Sequence, residues 1–140
     1  MSDRVGTIDI SKGDPAIAFV HGICCLPTDY QWHIDAFSET NRVIAPVFRG
    51  DKGEDVASKD LRIEDFATDV VAALEERNLS NVILCGHSLG VRIVLEAQAQ
   101  APDRVAGLVL IDGSKSTWDN LEALLKGFDG IEDILSLIHI

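Results

Sequence analysis

The chain has 140 residues, with 12 Lys plus Arg against 23 Asp plus Glu and a formal net charge of −11. Apolar residues at 46% and charged residues at 25% fit one folded domain and exclude a disordered chain. The negative balance argues against nucleic acid or anionic membrane as a partner, and no stretch approaches the roughly 20 apolar residues that span a bilayer.

Residues 5–10 alternate, and Gly13-Asp14-Pro15 supplies a turn, which predicts an antiparallel hairpin with the apolar run Ala16–Val20. A short, irregular helix is expected within 30–39, and a second β-branched run covers 42–47. Over 61–78, Ile63, Phe66, Ala67, Val70, Val71 and Leu74 share one helical stripe, with Asp60 or Ser58 to cap its start and Asn78 to end it. A third run at 81–85 is followed by a helix over 89–101, stopped by Pro102. The fourth run is 105–112, and 114–127 reads as a helix carrying Trp118, Leu121, Leu124 and Leu125 before an apolar tail.

The four runs are almost continuously apolar, as strands buried on both faces of a parallel sheet are. Their alternation with helices implies an α/β protein, a three-layer α/β/α sandwich with a mostly parallel sheet. Cys24, Cys25 and Cys85 form neither a disulfide framework nor a metal pattern, so they read as inert thiols in a reducing compartment, and no metal is expected. The opening residues have no apolar signal core, which makes the cytoplasm the expected location.

Gly86-His87-Ser88-Leu89-Gly90 matches Gly-x-Ser-x-Gly. Three fixed residues at about 7% each recur by chance in roughly one such chain in twenty. Here the pattern directly follows a predicted strand and opens a predicted helix, the context that gives it meaning. A serine on so tight a turn sits in strained backbone, and the glycines two residues away on either side make room for it. The turn also lifts the hydroxyl toward the positive end of a helix dipole, where developing negative charge is favoured.

A second landmark, His21-Gly22, closes the run Ala16–Val20, and Gly22 permits close approach of a ligand. FVHG followed by CGHSLG, with APVFRG at 45–50 and PDRVAGLVLIDG at 102–113, resembles the α/β-hydrolase superfamily over about residues 3–125. The resemblance implies the α/β-hydrolase fold and a serine hydrolase acting on carboxylic ester or related acyl bonds, with no metal or organic cofactor. It makes Ser88 the nucleophile, and the backbone N–H groups of Leu89 and Ile23 the oxyanion donors. Gly22, Gly86 and Gly90 become the elbow and loop glycines. Trp32 matches a tryptophan these proteins often carry, where packing outweighs substrate contact, and His21 and His87 read as structural. Serine at the elbow argues against dehalogenation or epoxide opening, which need a carboxylate nucleophile. C–C bond hydrolysis, perhydrolysis and a non-catalytic ligand-binding or interaction role stay open.

Three features depart from the family pattern. The usual Arg-Gly-His-Gly loop reads Arg49-Gly50-Asp51-Lys52-Gly53, and Arg92 stands where a small residue is common, which suggests a looser helix–sheet contact. Cys24-Cys25 follow Ile23 at the expected pocket mouth. Third, a serine needs a histidine base and a carboxylate, in the family order Ser, acid, His. Only 52 residues follow Ser88, and His139 is their single histidine. Asp112, at the end of the fourth strand, is the candidate acid, with a turn or capping role as its alternative.

These observations imply the N-terminal portion of one larger domain at 1–134, with a cap region beginning near 114 and the C-terminal part of the fold missing. The chain is expected to be inactive on its own. Residues 135–140, LSLIHI, are what CTG-TCT-CTT-ATA-CAC-ATC encodes, which resembles the end of transposase-based sequencing adapters, so a non-native tail is expected there. The last predicted strand would leave an apolar sheet edge open to self-association.

Overall fold

A computed structural model describes residues 7–10, 12–23, 25–49 and 61–113. Cys24, Ser58, Asp60, the helix expected over 114–127, His139 and the tail at 135–140 lie outside the described residues.

In chain order the elements are β1 (Ile8–Ile10), β2 (Ala16–Val20), α1 (Gln31–Phe37), β3 (Val43–Ala45), α2 (Ile63–Glu76), β4 (Val82–His87), α3 (Leu89–Gln100) and β5 (Val105–Ile111). The sheet runs β1-β3-β2-β4-β5. β2 pairs parallel with both β3 and β4, β4 pairs parallel with β5, and β1 alone is antiparallel. All five residues of β2 are buried, as its unbroken hydrophobicity requires.

The hairpin expected between β1 and β2 is not formed. β2 has parallel partners on both edges, so β1 pairs instead with the outer edge of β3, placing Ile8 opposite Ala45 and Ile10 opposite Val43. Alternation sets which face of a strand is apolar, not which neighbour it takes. An ion cluster holds this pairing: Arg42 donates to both oxygens of Asp9, at 2.9 and 2.7 Å, and Arg77 from the end of α2 adds a third bond at 3.0 Å.

Successive side chains of the sheet enter two cores. On one face Ala16, Ala18, Val20, Ile44, Val82 and Leu84 pack against α2 and α3 through Phe66, Val70, Leu74, Ile93 and Val94. On the other, Ile17, Phe19, Val43, Ala45 and Cys85 pack against Tyr30 and Ile34. Burial also pushes the Cys85 thiol above its ordinary range, which keeps it unreactive at neutral pH.

The start of α2 departs from the expected cap. Arg62 occupies the cap position, and its N–H donates to Asp65 at 2.9 Å. The end follows the sequence: Asn78 adopts φ +50, Leu79 N–H donates to Leu74 and Asn78 N–H to Glu75, both at 2.9 Å, the two bonds of a Schellman motif. Among the described residues β5 forms an edge of the sheet, with Val109 45%, Leu110 46% and Ile111 39% exposed.

The Asp9 cluster makes stability depend on pH. The Arg42 hydrogen bonds hold the Asp9 carboxyl below its ordinary value, with the charges of Arg42 and Arg77 adding to the effect against the opposing pull of burial. A group depressed in the folded state stabilises above its unfolded pKa and loses that contribution as pH falls through the folded one. Asp9→Asn is therefore expected to cost about 1 kcal/mol at neutral pH, the range for a half-exposed ion network. Urea titrations of both proteins should show that gap closing below about pH 4, the ordinary carboxylate range. A gap that persists in acid would remove the ion cluster from the account.

Candidate active site

Ser88 is the single residue between β4 and α3. Its backbone stands at φ +54 and ψ −117, a conformation that a side chain disfavours by about 1–3 kcal/mol. Contacts on both sides hold it there. Ser88 N–H donates to the carbonyl of Ile111 on β5 at 3.0 Å, and Val91 N–H donates to the carbonyl of Ser88 at 3.1 Å.

The elbow is also closely packed. A Cβ on Gly86 would meet the carbonyl of Gly90, and a Cβ on Gly90 would meet the carbonyl oxygen of Val20 at the end of β2. The looser helix–sheet contact expected from Arg92 is therefore not found. Gly90 lets the first turn of α3 lie against β2, and Val91 is buried. Arg92 is half-buried, and its Nη1 has no hydrogen-bond partner among the described residues.

The loop after β2 passes directly over the serine. A Cβ built on Gly22 would stand 3.0 Å from Ser88 Cβ, 3.1 Å from the carbonyl oxygen of His87 and 3.5 Å from Ser88 Oγ. The preceding His21 is buried. Its ring lies 4.7 Å from that of Phe48, and its Nδ1 is 3.0 Å from the carbonyl oxygen of Gly22. His21 thus braces its own turn. Ile23 follows Gly22, and Leu89 begins α3 as its first residue. The N–H groups of a first helical turn have no partner within the helix, which leaves that of Leu89 available to an anion.

Asp112 follows Ile111, the residue that accepts the Ser88 N–H, and takes a left-handed φ of +45. Its neighbour Gly113 lies against Val91, where a Cβ would meet that side chain. No histidine among the described residues hydrogen-bonds to Asp112. The geometry therefore puts Ser88, Gly22, Gly86, Gly90, Leu89, Ile23 and Asp112 at one end of the sheet.

A cavity of about 290 Å³ opens beside this elbow, walled by His21, Gly22, Tyr30, His33, His87 and Ile111. Cys25 lies in its wall, where the pocket mouth was expected. Trp32 is a correction: it is 88% exposed, so it has no packing role among the described residues. The buried aromatic of this segment is Tyr30, stacked on Phe19 at 5.0 Å between ring centroids and met edge-on by His33 at 5.6 Å. Spacing carried that signal, because Tyr30 and Ile34 are one helical turn apart and Trp32 falls on the opposite side. His33 and His87, like Tyr30, thus face the cavity.

A clamp that sequence reasoning missed braces the loop from behind. Arg49, just past β3, sends its N–H, Nε and Nη2 to the buried carboxylate of Asp69 on α2, at 3.0, 2.9 and 2.7 Å. The residue before it, Phe48, packs on both His21 and Phe66. Nothing in the sequence marks two residues twenty positions apart as partners.

A family model described as the alpha/beta hydrolase fold matches residues 15–132. Ethanol acetyltransferase 1 of Wickerhamomyces ciferrii is 30% identical over 136 residues, covering 95% of this chain and 33% of its own length. The sn-1-specific diacylglycerol lipase of Mus musculus is 30% identical over 99 residues, covering 70% of this chain and 32% of its own. Among solved structures, a thermophilic esterase from Thermogutta terrifontis superposes with a TM-score of 0.76 at 25% identity, over 92% of this chain and 47% of that one. The chain spans between about a third and just over half of the length of the curated relatives it matches. No helix among the described residues is long and apolar enough to cross a membrane.

Proposed function

The chain belongs to the alpha/beta hydrolase fold family, and we propose that its Ser88 is the nucleophile of a serine hydrolase acting on small carboxylic esters. The observation that carries this reading is the strained backbone of Ser88 with Gly22 packed directly against its side chain. Strain of this kind concentrates at functional sites, and here it holds a hydroxyl at a helix N-terminus under an open backbone loop.

In the reaction, Ser88 Oγ bonds to the ester carbon and its proton leaves to a general base, which buffer or hydroxide supplies where no residue of the chain is assigned the role. The carbonyl electron pair moves onto oxygen, where the Leu89 and Ile23 N–H groups hold it. Collapse of that adduct breaks the ester C–O bond, expels the alcohol and leaves an acyl group on Ser88. Water, activated by the base, then releases the acid. Asp112 is the candidate acid that orients the base. His139 is the single histidine after Ser88 and lies in an apolar stretch outside the described residues, so it is not assigned that role.

These residues supply the first half of the cycle better than the second. p-Nitrophenyl acetate separates the halves, because its leaving group needs no proton. The 140-residue chain should release at most one equivalent of p-nitrophenolate through Ser88 and then fall to the background rate. Release that is indifferent to Ser88→Ala would remove the nucleophile assignment. Sustained turnover that Ser88→Ala abolishes would show instead that the chain holds a working base. A second reading, transfer of the acyl group to an alcohol rather than to water, is favoured by the similarity to an ethanol acetyltransferase over 95% of the chain.

A further inference from the structure

We propose that Tyr30 is a positioning residue for the oxyanion hole, setting the spacing between the Ile23 and Leu89 N–H groups through the carbonyl of Val20, on the reading of Ser88 as nucleophile. The parallel ladder between β2 and β4 ends at the pair Val20 and Gly86. His21, Gly22 and Ile23 then leave the sheet. At that point the Tyr30 hydroxyl donates to the Val20 carbonyl oxygen at 3.3 Å, while a Cβ on Gly90 would meet the same oxygen.

One carbonyl thus registers both arms of the hole. β2 carries the chain onward to Ile23, three residues beyond it. Gly90 is bonded directly to Leu89 and rests against that carbonyl. Without the hydroxyl, the end of β2 would lose a tether on the side away from α3, and the two arms could drift apart.

The donor is itself well fixed. Tyr30 is buried, stacked on Phe19 and met by the edge of His33. Burial pushes its phenol above the ordinary range, with the Cys85 and Cys25 thiols and the Asp29 carboxylate acting in the same direction. The hydroxyl therefore keeps its proton to donate throughout the neutral range.

Acylation of the chain by p-nitrophenyl acetate, followed across ester concentration, tests the proposal together with the amide resonances of the loop. Tyr30→Phe keeps the ring and removes only the hydroxyl. The saturating acylation rate should fall about fivefold, the effect of one hydrogen bond. The half-saturating concentration should stay unchanged. The Gly22 and Ile23 amide resonances should shift and broaden while those of β4 hold, and the melting temperature should fall only by the few degrees that one hydrogen bond is worth. Tyr30→Leu, which also removes the ring, should lower the melting temperature well beyond that, so packing loss is separable from tether loss. An unchanged acylation rate in Tyr30→Phe, or shifts spread uniformly over the chain, would overturn the proposal. If the unaltered chain is never acylated at Ser88, the hydrolase reading falls. The Gly22 and Ile23 resonances then decide the tether alone, and unchanged resonances sink it.

Discussion

Gly90→Ala is expected to destabilise the chain by about 2–3 kcal/mol, the cost of forcing an extra carbon into close-packed backbone. The Cβ would meet the carbonyl oxygen of Val20, and nearby the carbonyl of His21 at 3.0 Å. A flexible side chain could swing away from such a contact, whereas these are main-chain oxygens at the end of a buried central strand. Relief would require α3 to slide off β2, carrying Leu89 away from the loop that holds Ile23. Stability and acylation should therefore fall together, acylation by about a hundredfold, as ångström-scale misplacement of catalytic groups does. Gly107→Ala is the control, since a Cβ there meets nothing within 4 Å. It should be neutral or stabilise by about 0.5 kcal/mol, because glycine is costly within a strand. Urea unfolding followed by circular dichroism reads both. If Gly90→Ala proves as stable as Gly107→Ala, the tight elbow is not a feature of the protein in solution.

Removing the carboxylate of Asp69 should cost about 2–3 kcal/mol, below the full penalty for breaking a buried pair because Arg49 can partly return to water. The Asp69 side chain is 7% exposed and that of Arg49 35%. Asp69→Ala strips three hydrogen bonds from Arg49, one of them from its backbone N–H. The consequence reaches the site through Phe48, which Arg49 follows and which packs on the His21 ring. Loss of the clamp should therefore quicken amide exchange at His21 and Gly22 as well as lower the urea midpoint. Asp65 lies 3.6 Å from the same guanidinium and cannot replace the bidentate pairing. An Asp69→Ala protein with an unaltered midpoint would mean that the clamp contributes nothing to the fold.

What the sequence made legible was local. The elbow could be read because glycine, serine and glycine stand at fixed spacing between an apolar run and a helix, and each of those signals lies within a few residues of the next. Ala16–Val20 could be delimited because a central parallel strand is apolar at every position. Asn78 marked the end of α2 because few other residues tolerate a left-handed turn.

Partnerships between distant residues carry no such local signal. Residues 8–10 alternate equally well beside β2 or β3, and the decision rests on Arg42 and Arg77 reaching Asp9 across 33 and 68 positions. The Arg49–Asp69 clamp is invisible for the same reason. The family resemblance points to Trp32, but the turn of α1 gives the interior to Tyr30 and Ile34. At the site, Ser88 and its glycines follow from spacing alone, whereas the cavity walls come from segments that meet only in three dimensions.

The most direct test of the nucleophile is to locate the acyl group itself. The chain would be treated with p-nitrophenyl acetate, quenched in acid, digested and mapped by mass spectrometry. A single acetyl group on the peptide containing Ser88, absent from the Ser88→Ala protein, is the predicted result. An acetyl group scattered over the lysines, with none on Ser88, would contradict it.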